Sequence, residues 1–256
     1  MSLKIFARIS WKEKEHYALK EGDRFRIINS APYELWEPTT TLVPAEEIHL
    51  LAPVKPSKII AVGLNYRNHA QELNMQLPSV PLLFLKPPTA VANPEENIVW
   101  PLISTRVDFE GELAMVIGRK AKNVSITSAM DYVLGFTLAN DITARDLQTQ
   151  DGQWTRAKGF DGFCPLGPVL VTELDWNEFE LKTYVATECR QSGKISDLIF
   201  SLPEILSFAS QVMTLLPGDV ILTGTPSGIG PLQTGEQVSI TEKQIGSLKN
   251  QLIRQA

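Results

Sequence analysis

Three carboxylates spaced two apart, Asp108, Glu110 and Glu112, stand in Val107-Asp108-Phe109-Glu110-Gly111-Glu112-Leu113-Ala114-Met115-Val116-Ile117-Gly118, where a buried strand would carry apolar side chains. With the two-residue period of a strand they share a face with Ala114 and Val116, while Phe109, Leu113, Met115 and Ile117 share the other. Side chains two apart on a strand lie roughly 7 Å from one another, so like charges there raise each other's pKa unless a cation intervenes. The stretch reads two ways, as a wet acidic face or as a divalent-metal site dipping into the protein. Asp141, at the end of the apolar run over 133–139, could join Glu110 and Glu112 as a third oxygen ligand of the kind hard divalent cations select.

A base and two cations accompany the acids. In Leu64-Asn65-Tyr66-Arg67-Asn68-His69-Ala70-Gln71-Glu72, His69 and Glu72 share a face of a short helix that Asn65 can cap. A carboxylate beside a histidine fixes its tautomer and stabilises the imidazolium, the usual arrangement of a general base; the alternative is a solvated ion pair worth a few tenths of a kcal/mol. Lys86 ends the apolar run Leu82-Leu83-Phe84-Leu85 and either snorkels to solvent or offers charge to an anionic ligand. Lys158 is a second candidate cation. The loop Thr223-Gly224-Thr225-Pro226-Ser227-Gly228-Ile229-Gly230 lacks both the Gly-Lys-Ser/Thr ending of a P-loop and a G-x-G-x-x-G pattern, so nucleotide binding is unsupported, but its backbone amides and the Thr225 hydroxyl could cradle a carboxylate.

The elements that must position these groups are mainly strands. Residues 1 to about 50 mix short alternating runs with turn residues and read as a small β region (1–52), with a boundary at Pro53 and Pro56. Ile59-Ile60-Ala61-Val62-Gly63 reads as a buried strand. A helical stretch is expected around Ser125 to Tyr132, a loop over 148–154, and a helix opened by the capping box Ser201-Leu202-Pro203-Glu204 and running to about Leu215. The tail from Gly235 alternates like a closing hairpin. His16 and His49 are isolated, and Cys164 reads as a small buried apolar residue.

The chain has 256 residues and a net charge of −5, which gives no basic field for nucleic acid or anionic lipid. No apolar run reaches the length of about 18 residues that spans a bilayer, and the first residues lack the apolar core of a signal peptide. A cytoplasmic protein is expected, with no nucleic-acid or membrane partner. Cys164 and Cys189 form no C-x-x-C pair.

Taken in order, Gly63-Leu64-Asn65-Tyr66 with His69 and Glu72, Lys86-Pro87, Asp108-Phe109-Glu110-Gly111-Glu112-Leu113, Asn140-Asp141 with Thr143-Ala144-Arg145-Asp146, Lys158 with Phe160-Asp161, and Gly224-Thr225-Pro226-Ser227-Gly228 make the chain resemble the fumarylacetoacetate hydrolase family. The resemblance implies an α+β, mainly β fold whose strands roll up around a metal-containing pocket, a catalytic domain over 58–256, and a homodimer. It implies that Glu110, Glu112 and Asp141 bind Mg²⁺ or Mn²⁺, with Asp108 a neighbour, and that His69 and Glu72 form a water-activating dyad on a short helix able to close over the pocket. Lys158 matches a residue that steadies charge on the substrate, Thr225 with Gly224 a contact to its carboxylate, and Lys86 a looser substrate contact. The reaction implied first is carbon-carbon cleavage of acylpyruvate-like 3-acyl-2-oxo acids. Oxaloacetate decarboxylation or tautomerisation, or 2-hydroxyhepta-2,4-diene-1,7-dioate isomerisation, is the alternative, and non-catalytic binding of a metal and a small acid the third reading.

Overall fold

The computed structural model describes residues 3–72 and 74–254. The chain opens with an antiparallel meander, β1 (Ile5–Trp11), β2 (Lys14–Glu21), β3 (Arg24–Ile28) and β4 (Pro38–Pro44), followed by β5 (His49–Leu51). After the two prolines come β6 (Ile59–Gly63), the short helix α1 (Arg67–Glu72), β7 (Leu82–Lys86), β8 (Val91–Ala92), β9 (Asn97–Trp100), β10 (Val107–Phe109) and β11 (Gly111–Ile117). Next are β12 (Val133–Asn140), β13 (Thr143–Ala144), α2 (Arg145–Asp151), α3 (Thr155–Lys158), β14 (Cys164–Val171), β15 (Leu181–Val185) and β16 (Glu188–Gly193). The last part holds α4 (Leu202–Val212), β17 (Val220–Leu222), β18 (Gly230–Pro231), β19 (Gln237–Glu242) and β20 (Gly246–Arg254).

Twelve strands share one sheet, whose main path runs β4-β3-β2-β1-β14-β12-β11-β17-β6-β7. The N-terminal meander continues this sheet through β1, where Ile5 and Phe6 pair with Val171 and Leu170 of β14. A five-stranded sheet, β16-β15-β19-β20-β9, and a three-stranded one, β13-β10-β18, complete a mainly β molecule with its helices in the connections. No helix among the described residues is long and apolar enough to cross a membrane.

β11 lies between β12 and β17 and is buried along its whole length. Its two faces serve different cores, as the alternation predicts: Phe109, Leu113, Met115 and Ile117 belong to one apolar cluster, Ala114 and Val116 to the other. Each large apolar side chain so buried contributes roughly 1.5–3 kcal/mol. The glutamates at the start of the strand are thus carried into a dry interior by apolar residues on both sides of them.

Three sequence expectations are corrected. Residues 148–154 are not a loop throughout, because α2 covers Arg145–Asp151 and ends where Gly152 turns left-handed at φ 68°; with Leu147 as its only buried residue the segment shows no apolar period. Asn65 does not cap α1: its amide donates to Phe200 O and Thr223 O, and its carbonyl accepts from Phe200 N, so it ties β6 to the loops beside it. α4 stops at Val212, since the Leu215 N–H and C=O are both taken by Ala121 in a β-bridge. The capping box at Ser201 and Glu204 is present, and the helical stretch after Ser125 is the 3₁₀ turn Ile126–Tyr132.

Candidate active site

Glu110 stands in the break between β10 and β11, Glu112 is in β11, and Asp141 directly follows β12. The register of β11 on β12 places Gly111 opposite Asn140 and Glu112 opposite Ala139. Asn140 Oδ1 accepts from Glu110 N at 3.0 Å, and Asp141 N donates to Glu110 O at 2.8 Å, which locks the turn of one strand to the end of the other. One oxygen from each of the three carboxylates therefore lies within 4.8 Å of the others, with all three residues buried. Glycine between the glutamates is a steric requirement, because a Cβ on Gly111 would stand 2.1 Å from Thr183 Oγ1.

Compensation of these charges is uneven. Lys158, at the end of α3, is buried and donates to Glu110 Oε2 at 2.9 Å and to Asp141 Oδ2 at 2.7 Å. Arg145, the first residue of α2, pairs with Glu110 Oε1 and with Asp108 Oδ2. Burial alone would raise the Glu110 carboxyl, but Lys158 and Arg145 outweigh it and hold the group below its ordinary range. Burial likewise opposes the charge on Lys158, and Asp141 and Glu110 reverse the effect and raise its pKa. Glu112 receives no such help. Burial, then Asp141 and Glu110, push its pKa well above 4.5, against the N–H of Gly224, which donates to Oε2 at 2.6 Å, and the more distant charge of Lys158. Among the described residues no lysine or arginine pairs directly with Glu112. A hard divalent cation fits this donor set, three carboxylate oxygens with one uncompensated charge. Asp108 is outside it, held by Arg106 and Arg145.

The acids open on a cavity of about 110 Å³ that Glu110, Glu112, Asp141, Lys158, Arg145, Gln148, His69 and Thr225 line on the polar side. Val62, Leu64, Met75, Leu82, Phe84 and Trp154 form an apolar wall. Among the described residues, a larger cavity of about 890 Å³ between the β2–β3 turn and the start of β20 is lined by no such convergent group of three acids. His69 is buried, with Nδ1 3.1 Å from Glu72 Oε2, and Glu72 also accepts from Gly228 N at 3.0 Å. The pair therefore links α1 to the glycine-rich loop, with the imidazole buried and the Glu72 carboxylate at the surface.

Other expected contacts take different places. Lys86 is buried and does not line the cavity; its ammonium donates to Asp141 Oδ1, to Ile142 O at 3.2 Å and to Phe163 O at 2.6 Å, which uses its three protons behind the acids. The Thr225 hydroxyl donates to Gly111 O at 2.8 Å and accepts from Gln191 Nε2 at 2.7 Å, so its proton points into the scaffold. The Gly224 N–H is committed to Glu112. Sequence reasoning gave no role to Arg145 and Gln148, whose three-residue spacing on α2 was the available signal, or to Gln191, which holds Gly111 N through Oε1 at 3.0 Å and carries no signal in a polar strand.

Comparison with known proteins agrees with this architecture. Residues 58–253 match the model of the fumarylacetoacetate (FAA) hydrolase C-terminal family, and residues 6–53 that of the Rv2993c-like N-terminal family. A protein of Archaeoglobus fulgidus is 51% identical over 83% of this chain and 85% of its own. The mitochondrial oxaloacetate tautomerase Fahd2a of Rattus norvegicus is 40% identical over 83% of this chain and 72% of its own. The crystal structure of 5-carboxymethyl-2-hydroxymuconate delta-isomerase from Mycobacterium smegmatis superposes with a TM-score of 0.92 at 43% identity, covering 98% of this chain and 100% of that one. With the family model spanning most of its length and named enzymes among its relatives, the chain belongs to the fumarylacetoacetate hydrolase family of enzymes.

Proposed function

We propose that the protein is a divalent-metal-dependent enzyme that enolises a small 2-oxo acid, with Mg²⁺ or Mn²⁺ held by Glu110, Glu112 and Asp141. The observation that carries the reading is Glu112, a buried carboxylate with one backbone donor and no paired cation, open to the cavity. When bound, such an ion supplies Lewis acidity toward the oxygens of a 2-oxo acid and so acidifies the carbon beside the keto group. The chain's own residues do the rest. Lys158, fixed between Glu110 and Asp141, presents positive charge where the enolate oxygen develops. Arg145 and Gln148 offer N–H donors from the first turn of α2 to the substrate carboxylate. His69, with Nδ1 committed to Glu72, has Nε2 for proton transfer. It accepts the proton from carbon 3 as that C–H pair moves into the carbon 2–carbon 3 bond and the keto π pair moves onto oxygen, then gives the proton to that oxygen, which completes a keto-enol tautomerisation.

The names of the enzymes reported above, a tautomerase and a delta-isomerase, support proton transfer as the reaction. Hydrolytic cleavage of an acylpyruvate is the second reading, favoured by the contact of the buried His69 with Glu72, which suits a base for water. The two separate in one experiment: turnover of oxaloacetate keto-enol exchange and of acetylpyruvate cleavage by the wild type and by His69→Ala, with Mg²⁺. Loss of a general base costs roughly 10²–10⁴-fold. Tautomerisation falling by that factor in the variant, with no acetylpyruvate cleavage by the wild type, is the expected result; efficient cleavage moves the assignment to hydrolase, and turnover of neither substrate overturns both readings.

A further inference from the structure

The apolar part of the cavity lining is built around one ring. Trp154, in the turn between α2 and α3, lies with its six-membered edge on the backbone of Gly63, so close that a Cβ at that position would stand 2.7 Å from Cζ3 and 2.9 Å from Cη2. Its ring meets that of Phe84 edge-on, with centroids 5.1 Å apart at 73°. The face of Phe84 in turn lies 5.1 Å from the Lys158 ammonium. The indole is therefore not a loosely placed loop residue. It is wedged between the last residue of β6 and an aromatic ring that also contacts the site cation, and all of this lines the cavity.

The space left is small. At about 110 Å³ the cavity is well below the roughly 300–1,000 Å³ of sites for drug-sized ligands and holds roughly four water-sized groups. On the 2-oxo acid reading the carboxylate and keto oxygens face the acids and cations, so the substituent on carbon 3 is directed at the apolar wall. We propose that Trp154, seated on Gly63 and against Phe84, is the residue that limits the chain length of the 2-oxo acid the site admits, making this a short-chain site. The assignment rests on the proposed 2-oxo acid chemistry and adds to it the element that selects among such acids.

The test is the affinity of the full-length protein, loaded with Mn²⁺, for pyruvate, 2-oxobutanoate, 2-oxopentanoate and 2-oxohexanoate, measured by calorimetry for the wild type, Trp154→Phe and Trp154→Ala. One methylene in an apolar pocket is worth roughly tenfold or more in discrimination. The wild type is expected to bind 2-oxohexanoate at least about tenfold more weakly than 2-oxobutanoate, Trp154→Ala to remove or reverse that difference, and Trp154→Phe, which preserves an aromatic partner for Phe84, to fall between. Gly63→Ala, which drives a methyl into the indole, should weaken all the acids that bind. A wild type that binds the longest acid as well as the short ones, or a length dependence unchanged in both Trp154 variants, overturns the assignment. A wild type that binds Mn²⁺ but none of the four acids contradicts instead the 2-oxo acid reading beneath it.

Discussion

Two buried acid clusters in this molecule are built on opposite terms. Asp219, fully buried before β17, receives the Ser57 hydroxyl at 2.6 Å, the N–H groups of Lys58 at 3.2 Å and Leu216 at 2.7 Å, and the Lys58 ammonium. One carboxylate is met by a hydroxyl, two backbone N–H groups and a cation, and the cluster closes on itself. Around Glu110, Glu112 and Asp141 three carboxylates converge, yet the cations Lys158, Arg145 and Lys86 all pair with Glu110 or Asp141, and Glu112 keeps a single backbone donor. A buried charge left uncompensated costs several kcal/mol unless a partner is supplied. The first cluster is finished by the fold; the second leaves a place for a cation from solution.

Substitutions on the two sides of this contrast should behave oppositely. Glu112→Gln is expected to lower turnover by about a thousandfold, because it removes the ligand proposed for the metal and the charge that the site leaves open, while the metal-free protein melts no lower than the wild type. The pH dependence sharpens this. With the Glu112 pKa raised in the native state, metal-free folded protein holds a proton that the unfolded chain has released, so its stability declines as pH rises above 4.5 through the raised value. Denaturant titrations of the metal-free protein across that range should show the decline in the wild type and its loss in Glu112→Gln.

Asp219→Asn should do the reverse, leaving metal affinity intact and costing about 3 kcal/mol in stability, since it turns N–H donors toward a lysine and backbone amides that need acceptors. Equal effects of the two substitutions on apo stability would erase the distinction drawn here. Asp146 supplies the smallest effect. Burial opposes its charge, but hydrogen bonds from Thr105 N and the Ser104 and Thr105 hydroxyls bring its pKa from 3.8 to about 2. A lowered carboxylate contributes stability that is complete above its unfolded value and lost as pH falls through the folded one. Asp146→Asn should therefore cost about 1 kcal/mol at neutral pH, after allowance for solvent screening, with the gap to the wild type closing between about pH 4 and pH 2.

What the sequence made legible follows the same division. The alternation in β11, the Ser201 capping box and the closing hairpin of β19 and β20 are local patterns, and they appear in the structure where the residues place them. The pairing of Glu110 and Glu112 with Asp141 was also visible, because strand ends deliver side chains to one place and the acid types are conspicuous in an apolar context. The partners were not. That Arg145 spans Asp108 and Glu110, that Lys86 stands behind Asp141, and that the Thr225 hydroxyl is consumed by Gly111 and Gln191 depend on contacts between residues 34 to 114 positions apart, which no local period encodes. Asn65 misled for the same reason: its side chain suits a helix cap, and tertiary acceptors at Phe200 and Thr223 outcompete the local one.

The most direct test is calorimetric titration of the metal-free protein with Mn²⁺ near neutral pH, alongside Glu112→Gln. One site per chain is expected in the wild type, with a rise in melting temperature on loading and affinity weakened by at least about tenfold in the variant, since one lost ligand charge is worth more than about 1.4 kcal/mol at a buried site. A wild type that takes up no Mn²⁺ and no Mg²⁺, or one whose binding is the same in Glu112→Gln, would contradict the proposed metal site.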